Sequence, residues 1–404
     1  MSTIISILCT ACSNCQPAEY KSNPELNFVK PDWKGNIVIN GRFQNGTIAE
    51  KAPFWEPLKW KLSANPQRRE KSNEVYRLPV CYFDNLSDGD GIIWLGHSTF
   101  IIQINGVRII TDPVFGNIPA TKRKVDFPCN PDSLVNIDYM LVSHDHRDHF
   151  DKKSINRLMA NNPDIRIMAP LNAKRLFDGK IPEKIQLQEA GWYQEYKSEE
   201  NIRIIFLPAR HWGRRGLNDF NKTLWGSFLI ISGNTKIFFA GDSAYDDELY
   251  KDIHRIFGDI DICLLPIGSY APQWFMSKTH MNPEEAMMAF TDLGGQLFIP
   301  MHYGAFDMSD EPLGEPIKRL RKCSSNSRNM AQIKELTIGE KLLISEPHQQ
   351  EAVSIPAGSL SFQIYMSFTK KFHDFHNFSS CFILYIILIF FVNIFYKQFS
   401  RHFV

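Results

Sequence analysis

The chain has almost no net charge. Its 45 Lys and Arg face 44 Asp and Glu, leaving +1 at pH 7. No global field marks a polyanion binder, so any contact with anions must be local, and no nucleic-acid partner is expected. Cysteines are sparse. Outside the amino terminus, Cys81, Cys129, Cys263, Cys323 and Cys381 stand singly, which is not the spacing of a disulfide framework. There is no internal repeat. Disorder is excluded by composition, with 44% hydrophobic and 22% charged residues. A length of 404 residues allows one large or two ordinary domains.

The two ends differ from the middle. The start, MSTIISILCTACSNCQPAEY, has a short apolar run leading into Thr-Ala-Cys-Ser. Residues 1–20 read as a secretion signal ending at a lipidated Cys12. No Lys or Arg precedes the run, and it is shorter than a usual signal core; a start codon upstream of Met1 would explain both. Cys9, Cys12 and Cys15 also carry a metal-like spacing, but no fourth ligand follows. At the far end, Cys381 to Tyr396 is apolar except for Asn393, with Lys370, Lys371, Lys397 and Arg401 around it. That is slightly short of the ~20 residues a bilayer needs. A membrane segment at 381–396 and an extraneous extension both fit. Residues 346–380 are polar and aperiodic, as in a linker. Residues 21–84, with Trp33, Trp55, Trp60 and NPQRREK, read as an arm packing on the core.

The core is expected at residues 85–345. Apolar and polar residues alternate on both sides of Asn105-Gly106, a strong hairpin signal, and again around Gly233-Asn234. Short apolar runs of strand length alternate with helical stretches such as DKKSINRLMANN, DELYKDIHRIFG and NPEEAMMAFTDLG. In the last, Asn282 is the expected N-cap and Pro283 the first helical residue. Hairpins mixed with strand–helix units predict an α/β fold of two mixed sheets covered by helices.

Four apolar runs end at metal-capable side chains: YMLVSH at His144, IIFLPARH at His211, IFFAGD at Asp242 and LFIPMH at His302. Ligand sites gather at such strand ends, where loops converge on a rigid support. His144, His146 and His211 supply three neutral nitrogens, a usual set for catalytic zinc. Asp148, His149 and His302 supply a second set beside it. Asp242 can bridge two cations, and a water held between them becomes a hydroxide near neutral pH. His254 reads as structural. His348, His373, His376 and His402 receive no role.

His144-Asp145-His146-Arg147-Asp148-His149 has the form H-x-H-x-D-H, which resembles the signature of the metallo-β-lactamase superfamily of hydrolases. His211, Asp242 in FAGDS and His302 in PMHYG match its later motifs in order. More of the chain, about residues 33–315, resembles the N-acylphosphatidylethanolamine-hydrolysing phospholipase D branch and its bacterial relatives. The matching pieces include WLGHSTF, TDPVF, HWGRRGLNDFNKTLWGSF, PIGSYAPQWFM and HMNPEEA. The chain departs from the mammalian members at His302-Tyr303-Gly304-Ala305-Phe306, where they have His-Trp-Gly-Thr-Phe, and at Phe290, where they have a histidine. Those departures leave lipid specificity open.

The resemblance implies an αββα sandwich, two zinc ions per chain and hydrolysis of a phosphodiester. In that reading Asp148, Asp242 and His280 are the catalytic residues. The bridging hydroxide attacks phosphorus in line with the departing alkoxide. His280 contacts phosphate or protonates the leaving oxygen, unless it is a structural helix-entry residue. His97 and Ser98 support the ligands. Arg210, Arg214 and Arg215 face an anionic head group or solvent. Trp274, Phe275 and Met276 line an acyl-chain surface or pack in the core. The expected partners are a phospholipid or other phosphodiester and a membrane surface, and a homodimer is compatible. Location follows the anchors, through Cys12 or residues 381–396, and is otherwise cytoplasmic. Alternatives are a lactonase or other carbonyl hydrolase of this fold and a non-catalytic, metal-bound, membrane-associated binding protein. A redox di-iron relative would need a carboxylate where His146 stands.

Overall fold

Residues 18–45, 55–177, 179, 181–325 and 332–344 are described by the computed structural model. Cys12, the Cys9–Cys15 motif and the 381–396 run lie outside the described residues, as does the 346–380 linker. All described residues belong to the first of two compact units, Met1–Pro347. Among them, no helix is long and apolar enough to cross a membrane.

The hairpin at Asn105-Gly106 forms as its turn chemistry dictates. Both residues take positive φ, 49° and 79°, as a type I′ turn requires. It joins strands Thr99–Ile104 and Val107–Thr111. The run before it hides a second turn. Gly91–Gly96 pairs antiparallel with Thr99–Ile104, and the chain reverses at His97-Ser98 with His97 at φ 55°.

These strands belong to a seven-stranded sheet ordered 341–343, 91–96, 99–104, 107–111, 139–141, 166–170 and 186–190. Its pairings are antiparallel as far as 107–111 and parallel beyond. A six-stranded sheet follows the same plan, in the order 194–195, 203–207, 227–232, 235–239, 260–266 and 295–301. It is antiparallel as far as 235–239 and parallel beyond. Parallel strands need crossovers, and the predicted helices supply three of the five among the described residues. Lys152–Asn161 is capped by Asp151, Asp247–Phe257 by Asp246, and Pro283–Asp292 by a capping box of Asn282 and Glu285.

Side-chain alternation assigns the faces of the first sheet. Ile92, Trp94, Phe100, Ile102 and Leu141 join Ile204, Phe206, Phe228 and Phe239 of the second sheet in one core. Ile93, Leu95, Ile101, Ile110 and Met140 pack instead with Ile155 and Leu158 of the helix Lys152–Asn161. The result is an αββα sandwich.

The described part of the 21–84 region adds apolar side chains to this core. Leu26, Val38, Phe43 and Leu78 are buried in it. A small sheet, ordered 19–21, 36–39 and 42–43, ends beside the loop after His211. There Phe43 N donates to Asn221 O at 2.8 Å, and Asn221 Nδ2 donates to Phe43 O at 3.2 Å. Trp60 Nε1 donates to Asp310 Oδ1 at 3.0 Å. Because Phe43 is only 1% exposed, Phe43→Ala is expected to cost roughly 3–5 kcal/mol of stability. Urea unfolding measures this, and a loss below about 1 kcal/mol would mean that the segment is not an integral part of the core.

Candidate metal centre

Six strands running in common directions within their sheets deliver polar residues at their ends. His97 follows Gly91–Gly96, Asp112 follows Val107–Thr111, and the 144–149 loop follows Tyr139–Leu141. In the other sheet, His211 follows Arg203–Leu207, Asp242 follows Thr235–Phe239, and His302 follows Gly295–Met301. The two lips touch. Gly226 N donates to Ser143 O at 3.0 Å. Gly241 has φ +58°, and a Cβ there would lie 2.8 Å from Ser143 Cβ. Only glycine fits that conformation and that gap without strain.

The 144–149 loop divides its side chains between two groups. His149 N and Phe150 N both donate to His146 O, at 3.2 and 2.8 Å, so the chain turns sharply after His146. His144 Nε2 lies 3.0 Å from His146 Nδ1, and His211 Nε2 lies 3.1 Å from that same nitrogen. Asp242 Oδ2 is 3.9 Å from His144 Nε2 and 3.8 Å from His211 Nε2. On the other side, Asp148 Oδ2 is 3.0 Å from His97 Nε2, 3.4 Å from His149 Nε2 and 3.7 Å from His302 Nε2. Asp242 reaches this group too, with Oδ2 3.2 Å from His149 Nε2 and Oδ1 3.0 Å from His302 Nε2.

Hydrogen bonds behind the rings fix which nitrogens face inward. His149 Nδ1 donates to Asp112 Oδ2 at 2.7 Å. His144 Nδ1 donates to Ser143 Oγ at 2.9 Å, which donates to the same Asp112 oxygen at 2.6 Å. His211 Nδ1 donates to Thr279 O at 2.9 Å. With those protons placed outside, the inward Nε2 atoms of His144 and His211 carry lone pairs, and that of His149 does so once its second proton is lost. Such backing is how metal-binding imidazoles are oriented.

Electrostatics separates the groups. Burial holds His144 and His211 well below the usual imidazole value and brings His146 down to about 4. Burial also opposes charge on His149 and His302, but the Asp242 and Asp148 carboxylates outweigh it. His149 is raised well above its usual value, and His302 to about 9. Burial of Asp242 and half-burial of Asp148 oppose charge on them, and the facing imidazoliums outweigh it and hold both well below the carboxylate range. Protons on His149 and His302 therefore balance charge that a cation could balance.

The donor chemistry fits metal ions. His97, Asp148, His149 and His302 offer atoms all within 4.8 Å of one another, as do His144, His146, His211 and Asp242. Around zinc with ~2.0–2.1 Å bonds, neighbouring nitrogens of a tetrahedron stand about 3.3 Å apart. The three-histidine group is close to that spacing. Buried His280 Nδ1 has no hydrogen-bond partner, and buried His149 Nε2, His302 Nε2 and Asp242 Oδ1 have only close imidazole–carboxylate contacts that lack hydrogen-bond geometry. Such atoms are costly unless something else binds them.

All seven predicted ligands thus meet in one place. His280 stands beside them, with Nδ1 3.8 Å from Asp242 Oδ2. His97 braces Asp148, and its carbonyl accepts from His302 N at 3.1 Å. Ser98 is buried, and its carbonyl accepts from Thr111 Oγ1 at 2.8 Å. Arg210 lies at the rim, with Nη1 3.5 Å from Asp246 Oδ2. Trp274 is 44% exposed, with Lys59 Nζ 4.9 Å from its ring centroid, and is not among the converging groups. Phe275 stacks on Trp60, and Met276 is buried. His254 sits in the helix Asp247–Phe257, near Leu293 O. Sequence reading missed Asp112. The signal was available, because Asp112 ends an apolar strand just as His144 and Asp242 do. Arg215 also departs from expectation: it turns inward, onto main-chain carbonyls.

Comparison with known proteins places this geometry. A profile described as the Beta-lactamase superfamily domain matches residues 107–303. An N-acyl-phosphatidylethanolamine-hydrolyzing phospholipase D of Caenorhabditis elegans is 31% identical over 74% of this chain and 91% of its own. A mitochondrial protein of the same description from Saccharomyces cerevisiae is 33% identical over 74% of this chain and 62% of its own. Among solved structures, an isothiocyanate hydrolase from Delia radicum gut bacteria superposes with TM-score 0.51 at 16% identity, covering 63% of this chain and all of its own.

Two outcomes are expected. Asp112→Ala removes the acceptor behind both His149 and Ser143, and should weaken metal affinity about 10–100-fold. Chelator competition measures it; unchanged affinity would contradict the role. Metal binding should also depend on pH unevenly. His302, raised to about 9, and His149, raised well above its usual value by the facing carboxylates, are protonated in the metal-free protein at pH 7 and must lose protons to bind metal. The 148/149/302 group should therefore bind more tightly as pH rises from 7 to about 9. The 144/146/211 group, already neutral, should not change. Calorimetry in buffers of different ionisation enthalpy separates the two, and equal proton release at both groups would refute the assignment.

Proposed function

The chain belongs to the metallo-β-lactamase superfamily of hydrolases, and from that membership we propose that it is a dinuclear zinc enzyme cleaving a phosphodiester. The candidate bond is the head-group bond of N-acylphosphatidylethanolamine-type phospholipids. One observation carries the reading: two clusters of buried donor atoms meet at Asp242, which has an oxygen within 4 Å of donors in each. The named activity of the nematode relative supports the substrate class.

His144, His146 and His211 would hold one zinc ion, Asp148, His149 and His302 the other, and Asp242 would bridge. Bound zinc would supply a hydroxide nucleophile near neutral pH and offset charge on the phosphoryl oxygens. The chain's own groups do the rest. His97 orients Asp148 through the 3.0 Å contact. Asp112 sets the His149 tautomer and, through Ser143, that of His144. His280, with an unpartnered ring nitrogen beside Asp242, serves the phosphoryl or leaving oxygen. Residues 85–345 form the catalytic domain, and residues 21–84 an arm that packs on it. Residues 381–396 or a lipidated Cys12 would hold the enzyme at a membrane, where such a phosphate lies. A single acyl chain anchors only marginally, and a spanning helix effectively irreversibly.

The experiment is metal analysis joined to a hydrolysis panel of N-acyl phospholipid vesicles, a soluble aryl phosphodiester, lactones and β-lactams. About two metal ions per chain are expected, with turnover of the phosphodiesters. Asp242→Asn should abolish turnover while circular dichroism shows the fold intact. Removing residues 346–404 should spare the soluble substrate and slow the vesicle substrate. Full activity with one metal per chain would overturn the bridged centre, and turnover of lactones alone would move the assignment to a carbonyl hydrolase.

A further inference from the structure

Three arginines flank His211 in the sequence, and one of them, Arg215, is turned under the loop that bears most of the donor side chains. Arg215 Nη1 donates to Asp145 O at 2.9 Å and to Phe150 O at 2.8 Å. The guanidinium carbon sits 5.1 Å from the centroid of the Phe150 ring. Asp145 and Phe150 bracket His146, Asp148 and His149. A single nitrogen from elsewhere in the chain therefore ties together the two ends of this turn. Both hydrogens of Nη1 are engaged by main-chain carbonyls, which takes that nitrogen away from any ligand.

Arg215 is itself braced. Asp219 accepts from Arg215 N at 3.2 Å and from Gly216 N at 2.8 Å. Asn221 N donates to Gly213 O at 2.8 Å, and Gly213 N donates to Asn221 Oδ1 at 3.1 Å, closing the loop that starts at His211. The contact is reciprocal, because Arg147 Nη2 in the donor-bearing turn donates to Arg215 O at 3.1 Å. The His211 loop and the 144–150 loop are thus locked to one another, although they come from different sheets. His146 and His211, whose nitrogens stand 3.1 Å apart, are the donors most directly governed by that lock.

We propose that Arg215 is a positioning residue for the metal centre: it fixes the span of the 145–150 turn and couples it to the His211 loop. The inference rests on the reading of these side chains as metal ligands. It differs from a charge effect, because it requires a donor that reaches two carbonyls at one place. Arg214 is the natural control. It carries the same charge one residue earlier, and its Nε donates only locally, to Gly216 O at 2.9 Å.

The test uses the full chain as wild type, Arg215→Met, Arg215→Lys and Arg214→Met. Zinc affinity is read by chelator competition, ligand geometry by the visible spectrum of the cobalt-substituted protein, and thermal midpoints with and without metal. Arg215→Met is expected to weaken zinc binding about 10–100-fold and to change the cobalt spectrum. Arg215→Lys, which keeps the charge but loses the planar fork, should fall between Arg215→Met and wild type. Arg214→Met should stay within about twofold of wild type. Wild-type affinity and spectrum in Arg215→Met would overturn the proposal. So would equal losses in Arg214→Met and Arg215→Met, which would assign the effect to net charge. So would a lower midpoint of the metal-free protein with unchanged affinity, which would make Arg215 a general structural residue. Should Arg215→Met not fold, Arg215→Lys decides: an affinity loss above about threefold supports the role, and wild-type affinity refutes it. Failure of the wild type itself to bind zinc would instead remove the proposed function.

Discussion

The structure is organised around a packed cluster of imidazoles and carboxylates that needs positive charge to be neutral. The Nε2 atoms of His144 and His211 both face His146 Nδ1, at 3.0 and 3.1 Å, with one proton at most among the three nitrogens, and the carboxylates of Asp148 and Asp242 stand beside them. Lone pairs and anions do not gather in a low-dielectric interior unless positive charge joins them. In the metal-free chain that charge comes from protons on His149 and His302. The fold must therefore hold the donors together whether protons or metal supply that charge. It does so by mounting them on strands that cannot move independently.

Two devices transmit that rigidity. The first is close approach of the lips, where the missing side chain of Gly241 lets Ser143 come within contact distance. The second is a layer of polar residues behind the donor side chains. Asp112 is wholly buried and serves Ser143 N, Ser143 Oγ and His149 Nδ1 at once. Burial alone would raise its carboxyl, and those same bonds work against that rise. A side chain so committed cannot also bind metal freely, and its value lies in aiming its neighbours.

Much of this was legible in the sequence, for physical reasons that differ by residue. The Asn105-Gly106 hairpin and the Asn282 capping box are local: their cues lie within a few residues of the structure they specify. The donors announced themselves by ending apolar runs, and the strands then carried them to one place. The turn at His97-Ser98 was hidden, because its left-handed histidine is held by tertiary contacts. Trp94 Nε1 donates to His97 O, as does His302 N. Asp112 stood alone at the end of its apolar strand, with no second metal-capable residue beside it to draw attention. The direction of Arg215 was beyond reach. Two adjacent arginines look alike in sequence, and the carbonyls that claim one of them lie 70 and 65 residues away.

The strand Lys341–Leu343 has a consequence for biosynthesis. It pairs with Gly91–Gly96 and closes the edge of the seven-stranded sheet. Gly91–Gly96, GIIWLG, is apolar throughout and buried along its length. On the ribosome it emerges some 250 residues before its partner, and until then one side of its main chain has no neighbour. Such an edge is a template for pairing with another chain, and non-local closure of this kind is slow. The nascent protein thus carries an apolar edge open through nearly the whole of core synthesis. The hydrolase core is finished only when residues 341–343 dock, so holdase chaperones have their clearest task in that interval.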